Sequence, residues 1–442
     1  MTPIFKLPSE ILFDIFSLAI RKSRIPPLIL TVEDNLQDCV LLIRISLVCR
    51  QWREVTLVHS SLWSPIYIHL EYPNADTLRQ VTFFANICFA RSKDLPLTCI
   101  ISVLRLRDLR LALPLIQALI SHEDRWSRIA ITITPSCISS KSSAIRKNEE
   151  SLSVQLRNAG AGLLKEFHCN IGAWLTYSLR SSLPTLSVLR LTGNKLSGFL
   201  YSVANWLPLT QNLEELELTA YNDRFSAYAA KKNEQVWKLA HLPHFVLPTL
   251  RTLNVWAPLI PYFTCPSLET YVMQKVSWQD QDLANYLEFV ERSGAPPSFS
   301  SIVIRDSTSL SDIPPVRGYF LPSITELCLM SPNEHLFTMF SERSQEDGII
   351  GFAVLPRLEH LGIAHCSNAN FLPLFSALVT SLWDIGTTHR TLKSVELEQC
   401  FISSQVPELL LSPPTDGIDL TQVGEDWREI ARCVNEGLSL FV

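Results

Sequence analysis

Leu183-Pro184-Thr185-Leu186-Ser187-Val188-Leu189-Arg190-Leu191-Thr192-Gly193-Asn194-Lys195-Leu196 fits L-x-x-L-x-x-L-x-L-x-x-N-x-L at every fixed position. Leu189 and Leu191 alternate with Val188, Arg190 and Thr192, the period of two of a strand with one face turned inward. Asn194 stands where its side chain can bond exposed backbone at a turn. Pro184 fixes the backbone just ahead of the strand and sets a bend there. A single segment of this kind cannot bury its own inward leucines, so stacked copies are expected.

Copies are present. The pattern returns in degenerate form as Leu213/Leu216/Leu218, Leu247/Leu250/Leu253/Val255, Leu268/Tyr271/Met273, Leu321/Ile324/Leu327/Leu329, Leu355/Leu358/Leu361/Ile363 and Leu392/Val395/Leu397. Weaker copies are Trp126/Ile129/Ile131, Leu164/Phe167/Cys169 and Phe299/Ile302/Ile304. Leu-Pro opens four of them, at Leu183-Pro184, Leu247-Pro248, Leu321-Pro322 and Leu355-Pro356. A longer echo pairs Arg91-Ser92 and Pro96 with Arg292-Ser293 and Pro297, each after a helical stretch and before an apolar strand. The expected fold class is therefore α/β: a short three-helix front, then a leucine-rich-repeat solenoid with a helix or irregular crossing plus a strand in each repeat. The repeats are expected over residues 71–442, with 401–442 as a C-terminal cap in which Glu425 to Phe441 form a short helix and a strand. Tyr221 to Phe245 and Ser341 to Gly351 read as surface loops, and Ser136 to Glu150 as a locally disordered stretch.

Composition narrows the function. The 442 residues are 47% hydrophobic and 18% charged, too apolar for a disordered chain. A net charge of −5 leaves no basic excess to neutralise phosphates, so no nucleic acid is expected as partner. Only 14 glycines stand against 27 prolines, which argues against Gly-rich phosphate cradles. The 11 cysteines are odd in number and include no C-x-x-C pair, matching neither a disulfide framework nor a zinc ribbon, and a reducing compartment is the simpler expectation. Glu10 and Asp14 interrupt the N-terminal apolar stretch, N-x-S/T is absent, and no apolar run approaches the roughly 18 residues of a membrane span. The expectation is a cytoplasmic or nuclear protein with no membrane contact.

The first seventy residues read as helices. Ile11, Leu12, Ile15, Phe16 and Ala19 recur at helical spacing after Pro8, which suits a helix start. A second apolar run, Cys39 to Val48, continues through Trp52 to Val55 as a helix broken at most once, and Arg21 to Asp38, with Pro26 and Pro27, reads as a loop. Because repeats bury their cores against neighbours, residues 1–70 are expected to be dispensable for the fold behind them. Within this front stand Leu7-Pro8-Ser9-Glu10-Ile11-Leu12, Ile15-Phe16, Leu47-Val48-Cys49-Arg50-Gln51-Trp52-Arg53 and Leu62-Trp63. Together they resemble an F-box, whose pattern is L-P-x-E-I, an I-F pair, L-V-C-(R/K)-x-W and a closing L-W. The repeats look like those of expanded fungal F-box-like proteins, and the Arg21 to Asp38 segment makes this F-box longer than the compact form.

The resemblance implies the substrate-recognition subunit of a Skp/cullin/F-box ubiquitin ligase. The F-box, residues 1–70, would dock on a Skp-family adaptor and through it a cullin/RING ligase, while the repeats hold an unknown protein target. Leu7, Pro8, Ile11, Leu12 and Val48 are the expected apolar contacts, and Arg50 can face an acidic partner. Trp52 joins them as a candidate, against the plainer reading that it and Phe16 are buried among these residues or against the repeats. On the repeats, Arg190, Glu217, Asn254, Trp256, Arg305 and Glu326 are expected to point outward between inward apolar residues and to meet the target, with Trp256 foremost.

No catalytic residue, metal site or cofactor is expected. G-x-S-x-G, H-E-x-x-H, Walker A and kinase signatures are missing. His241 with His244, His360 with His365-Cys366, and His168-Cys169 lack ligand spacing, and Cys169, Cys366 and Cys400 read as small buried residues in place of leucine or asparagine. The rival readings are a repeat protein that binds partners without taking part in ubiquitination, and an enzyme hidden in the insertions.

Overall fold

In a computed structural model of the chain, residues 7–22, 35–106, 108–135, 152–156, 162–171, 175–179, 182–193, 196–220, 242–274, 280–305, 323–332, 357–366, 371–383, 391–400, 406–413 and 417–442 are described. Most of the loop expected from Tyr221 to Phe245, all of that from Ser341 to Gly351 and the expected disorder from Ser136 to Glu150 lie outside these residues, as does Asn194; Phe245, the last residue of the first loop, instead opens a short strand. By internal contacts the chain divides into two units, one of Met1–Leu213 with Glu217–Leu242, the other of Glu214–Leu216 with Pro243–Val442.

The first unit opens with α1 (Ser9–Lys22), α2 (Asn35–Val48) and α3 (Arg50–Val58). The single break in the second helical run falls at Cys49, whose extended backbone separates α2 from α3 and whose Sγ accepts from the Trp52 amide at 3.5 Å. The loop expected from Arg21 to Asp38 is shorter at both ends, because Arg21 and Lys22 continue α1 and residues 35–38 begin α2; Pro26 and Pro27 fall outside the described residues.

One expectation needs correction more seriously. Residues 65–70 are not helical. Pro65–Glu71 is β1, in which Ile66, Ile68 and Leu70 are buried in strict alternation. It pairs in parallel with β2 (Leu97–Leu106), Pro65 opposite Thr98 through Glu71 opposite Leu104. Trp63 just ahead is fully buried, donates from Nε1 to the Thr56 carbonyl at 2.7 Å, and lies under the Arg91 guanidinium at 4.3 Å from its ring centre. Arg91 ends α4 (Ala75–Arg91), the crossing between β1 and β2. The front therefore supplies the first strand of the sheet, a pairing that argues against the expectation that residues 1–70 are dispensable.

β3 (Trp126–Pro135) follows α5 (Leu113–Ile120), and then come β4 (Leu152–Leu156), β5 (Glu166–Ile171), β6 (Leu175–Leu179), β7 (Val188–Gly193), α6 (Leu196–Trp206) and β8 (Glu215–Ala220). The order in the main sheet is β1-β2-β3-β5-β7-β8, with β4 and β6 paired separately. Ile129, Ile131, Phe167, Cys169, Leu189, Leu191, Leu216 and Leu218, all read as inward residues, are buried.

In the second unit β9 (Phe245–Val246), β10 (Thr252–Trp256), β11 (Phe263–Thr264) and β12 (Thr270–Gln274) precede α7 (Asp280–Arg292). They are followed by β13 (Ser301–Arg305), β14 (Glu326–Met330), β15 (His360–Ala364), α8 (Phe371–Trp383), β16 (Ser394–Glu398), α9 (Glu408–Leu411), α10 (Arg428–Asn435) and β17 (Ser439–Phe441). β10, β12, β13, β14, β15, β16 and β17 are all parallel neighbours in that order. Strands alternating with helices or irregular crossings, each feeding a parallel neighbour, make the α/β architecture consistent with leucine-rich repeats.

The turn chemistry at the strand ends departs from asparagine. Ser331 and His365 follow β14 and β15 with φ near +51° and +56° and donate their amides to the Ala364 and Glu398 carbonyls at 2.8 and 2.9 Å. Cys366 and Cys400 occupy the asparagine position of their copies and are buried, and the Cys400 thiol donates to the Ile363 carbonyl at 3.2 Å. A small buried thiol does the bonding that asparagine does in the full motif.

Candidate functional site

Two surfaces come from these elements. The first is built on α1, which carries more apolar residues than one helix face can bury. Leu12, Phe16 and Ile20 form the inward stripe and are buried, Phe16 against Trp52 at 4.9 Å between ring centres in an edge-on pair. Ile11, Ile15 and Leu18, at i, i+4 and i+7, form a second stripe that is 46%, 42% and 57% exposed. Leu47 and Val48, at the end of α2, are also exposed. Pro8 is exposed, and Leu7 is half-buried with its carbonyl accepting from Gln51 Nε2 at 2.9 Å.

Among the expected adaptor contacts, Leu12 is corrected, since a fully buried side chain has no surface left for a partner. Trp52 is half-buried against Phe16, and its indole Nε1 is buried without an acceptor. Arg50 is exposed and pairs with Glu54 one turn on at 2.8 Å, a contact worth only a few tenths of a kcal/mol in water. Ile15, Leu18 and Leu47 are further exposed apolar residues that the sequence reading did not single out. For Ile15 and Leu18 the signal was the surplus of apolar positions in Ile11–Ile20, which exceeds a single stripe.

The second surface is the outward side of the strands. In the first unit Arg190 and Glu217 are half-buried and pair with one another at 3.6 Å, while Arg128 pairs with Glu166 at 2.6 Å. His168, in register with Arg190, has its pKa pulled below the ordinary value by burial and then by the Arg190 charge. Thr192 and Thr219 share a hydroxyl–hydroxyl bond at 3.0 Å.

In the second unit Glu326 is exposed at the start of β14, beside Ser301 and His360. Asn254 is corrected: although it alternates with the inward Leu253 and Val255, it is only 6% exposed and is already engaged within the chain, so its polar groups are not left for a partner. Trp256 and Arg305 lie at strand ends, each in register with Gln274, and their side chains fall outside the described residues.

His244 Nε2 bonds the Thr264 hydroxyl at 2.8 Å and His360 Nδ1 bonds Ser394 at 2.7 Å, so both rings have structural partners; His241 lies outside the described residues. Among the described residues no three His, Cys, Asp or Glu side chains gather as metal ligands would, and no helix is long and apolar enough to cross a membrane. The Cys99 and Cys265 thiols are pushed up to about 12 by burial, which leaves them protonated and unreactive.

Comparison with known proteins adds one match. No curated protein matches the chain. Residues 4–69 match the F-box-like family model, and this segment holds α1, α2, α3, the buried Trp63 and all but the last two residues of β1.

Proposed function

We propose that this chain is the target-binding subunit of a Skp/cullin/F-box ubiquitin ligase, of the kind represented by fungal F-box-like proteins with degenerate leucine-rich repeats. An F-box over residues 1–70, whose last residues double as the first strand, docks on a Skp-family adaptor. The repeats over 71–442, closed by 401–442, hold a protein target. The chain has no catalytic centre of its own and works in the cytoplasm or nucleus.

The observation that carries this reading is the uncovered apolar stripe Ile11/Ile15/Leu18 within the segment that matches the F-box-like family. An exposed apolar stripe on a helix is covered at little cost only by another apolar surface. Leu7, Pro8, Ile11 and Val48 stand with it as adaptor contacts, and Arg50 and Trp52 flank them. Arg190, Glu217, Trp256, Arg305 and Glu326 are the proposed target contacts, each on the strands of its own unit.

Mixing the purified chain with a purified Skp-family adaptor tests the reading. A 1:1 complex that also recruits the cullin on a sizing column is the expected result. A chain that stays alone at micromolar adaptor would instead mean a repeat protein working outside ubiquitination.

A further inference from the structure

Along the outward side of the first unit runs a row of hydrogen-bonding side chains, one from each strand. His69 is in register with Ser102, Ser102 with Thr132, and Asn170 with Thr192, whose hydroxyl is bonded to that of Thr219. Ile131 pairs with Cys169, so Thr132 and Asn170 are the next residues along β3 and β5. Neighbouring strands lie about 4.8 Å apart, so six such side chains span about 24 Å, the length of about seven residues of extended chain.

One member of the row is buried with its acceptor unanswered. Asn170 is 7% exposed, and its Oδ1 is buried with no hydrogen-bond partner. Buried polar groups are paired in the great majority of cases, and an exception calls for an explanation. Inward Phe167 and Cys169 set the pleat, so Asn170 belongs to the outward side with His168. Holding no bond through Oδ1, the amide can turn about its soft terminal torsion without giving one up, toward the half-exposed Thr192 and His168 beside it. Either end of the amide would be matched by peptide backbone, which carries both a donor and an acceptor in every residue.

Among the described residues, the arginines that flank this row on β3 and β7 are already ion-paired. Arg128 is paired with Glu166 and Arg190 with Glu217, so a phosphate would have to break an ion pair to be read. The lowered pKa of His168 keeps its ring neutral near pH 7.

We propose that the outward side of β1, β2, β3, β5, β7 and β8 binds an extended, unphosphorylated peptide segment of the target, rich in uncharged hydrogen-bonding residues, with Asn170 meeting its backbone. This rests on the reading that the repeats hold the target, and names what they hold.

The test uses the full chain and a phage-displayed library of random twelve-residue peptides, with selected sequences then synthesised with and without phosphoserine. Selection should enrich Asn, Gln, Ser and Thr. Asn170→Leu should weaken the selected peptide at least tenfold while leaving the melting temperature equal or higher, because an orphaned acceptor is replaced by an apolar group of similar size. Thr192→Val, a second variant at a half-exposed site, should weaken the same peptide severalfold. Phosphoserine should bring no gain.

Three outcomes overturn the proposal: no enrichment over background, binding indifferent to both variants, or selected peptides that are acidic or gain from phosphate. Adaptor binding measured on the same variants keeps the two readings apart. Peptides that bind unchanged to Asn170→Leu but are lost on Glu326→Lys would leave target capture standing and remove only this inference.

Discussion

Replacing Ile11, Ile15 and Leu18 together by glutamine separates docking from folding on a single helix. Full burial of an Ile or Leu side chain is worth about 1.5–3 kcal/mol, and these three still expose 46%, 42% and 57% of their surface. About 1 kcal/mol each remains to be gained under a partner, roughly 3 kcal/mol together, or on the order of a hundredfold in affinity. Glutamine keeps an aliphatic stem over the helix and has good helix propensity, so the free chain should lose no more than about 1 kcal/mol. The neighbouring Leu12→Ala does the reverse. It empties a fully buried site and should cost about 2–5 kcal/mol, lowering the melting temperature by about 4 °C or more. Calorimetric titration with a Skp-family adaptor and thermal melts of the same samples read both effects. The reasoning fails if the triple variant binds like the parent, or if Leu12→Ala loses the adaptor with its melt unchanged.

Three further outcomes are expected. Truncation before residue 72 removes β1 from β2 and Trp63 from Arg91, and circular dichroism should show the cooperative melt lost, whereas a sharp melt would mean β2 tolerates a free edge. Gln399→Gly relieves a left-handed residue at φ near +51° after β16 and should raise stability by about 0.5–1 kcal/mol in urea melts; a loss would point to an unseen role for the Gln399 side chain. His168 and His122 both have pKa values lowered chiefly by burial, so below the unfolded value of 6.5 the unfolded chain takes up protons that the folded chain resists. Stability should thus be complete above about pH 7 and fall as pH drops through 6.5, and His168→Gln should flatten part of that fall; an unchanged pH profile would mean the ring titrates freely.

The repeats were legible because a period of two writes itself directly into composition: Leu189 and Leu191, or Ile302 and Ile304, have to be apolar to be buried. β1 was missed because Ile66, Ile68 and Leu70 follow closely on helical residues, so a short alternation was absorbed into the preceding pattern. The two stripes of α1 were merged for a related reason. Periodicity marks which positions are apolar, but Leu12 and Ile11 differ only in which is turned to the core and which to water. Asn254 shows the limit on the strands, where the pleat sets direction but close neighbouring side chains decide exposure. Nor could spacing reveal that Arg190 and Glu217, read as separate contacts, close on one another across β7 and β8.

Hydrogen exchange of the full chain with and without saturating Skp-family adaptor tests the central claim most directly. The account predicts slowed exchange in peptides covering Ser9–Lys22 and the end of Asn35–Val48 into Arg50–Val58, with the strands β13 to β16 unchanged. Protection confined to the strands, or no protection anywhere, would contradict it.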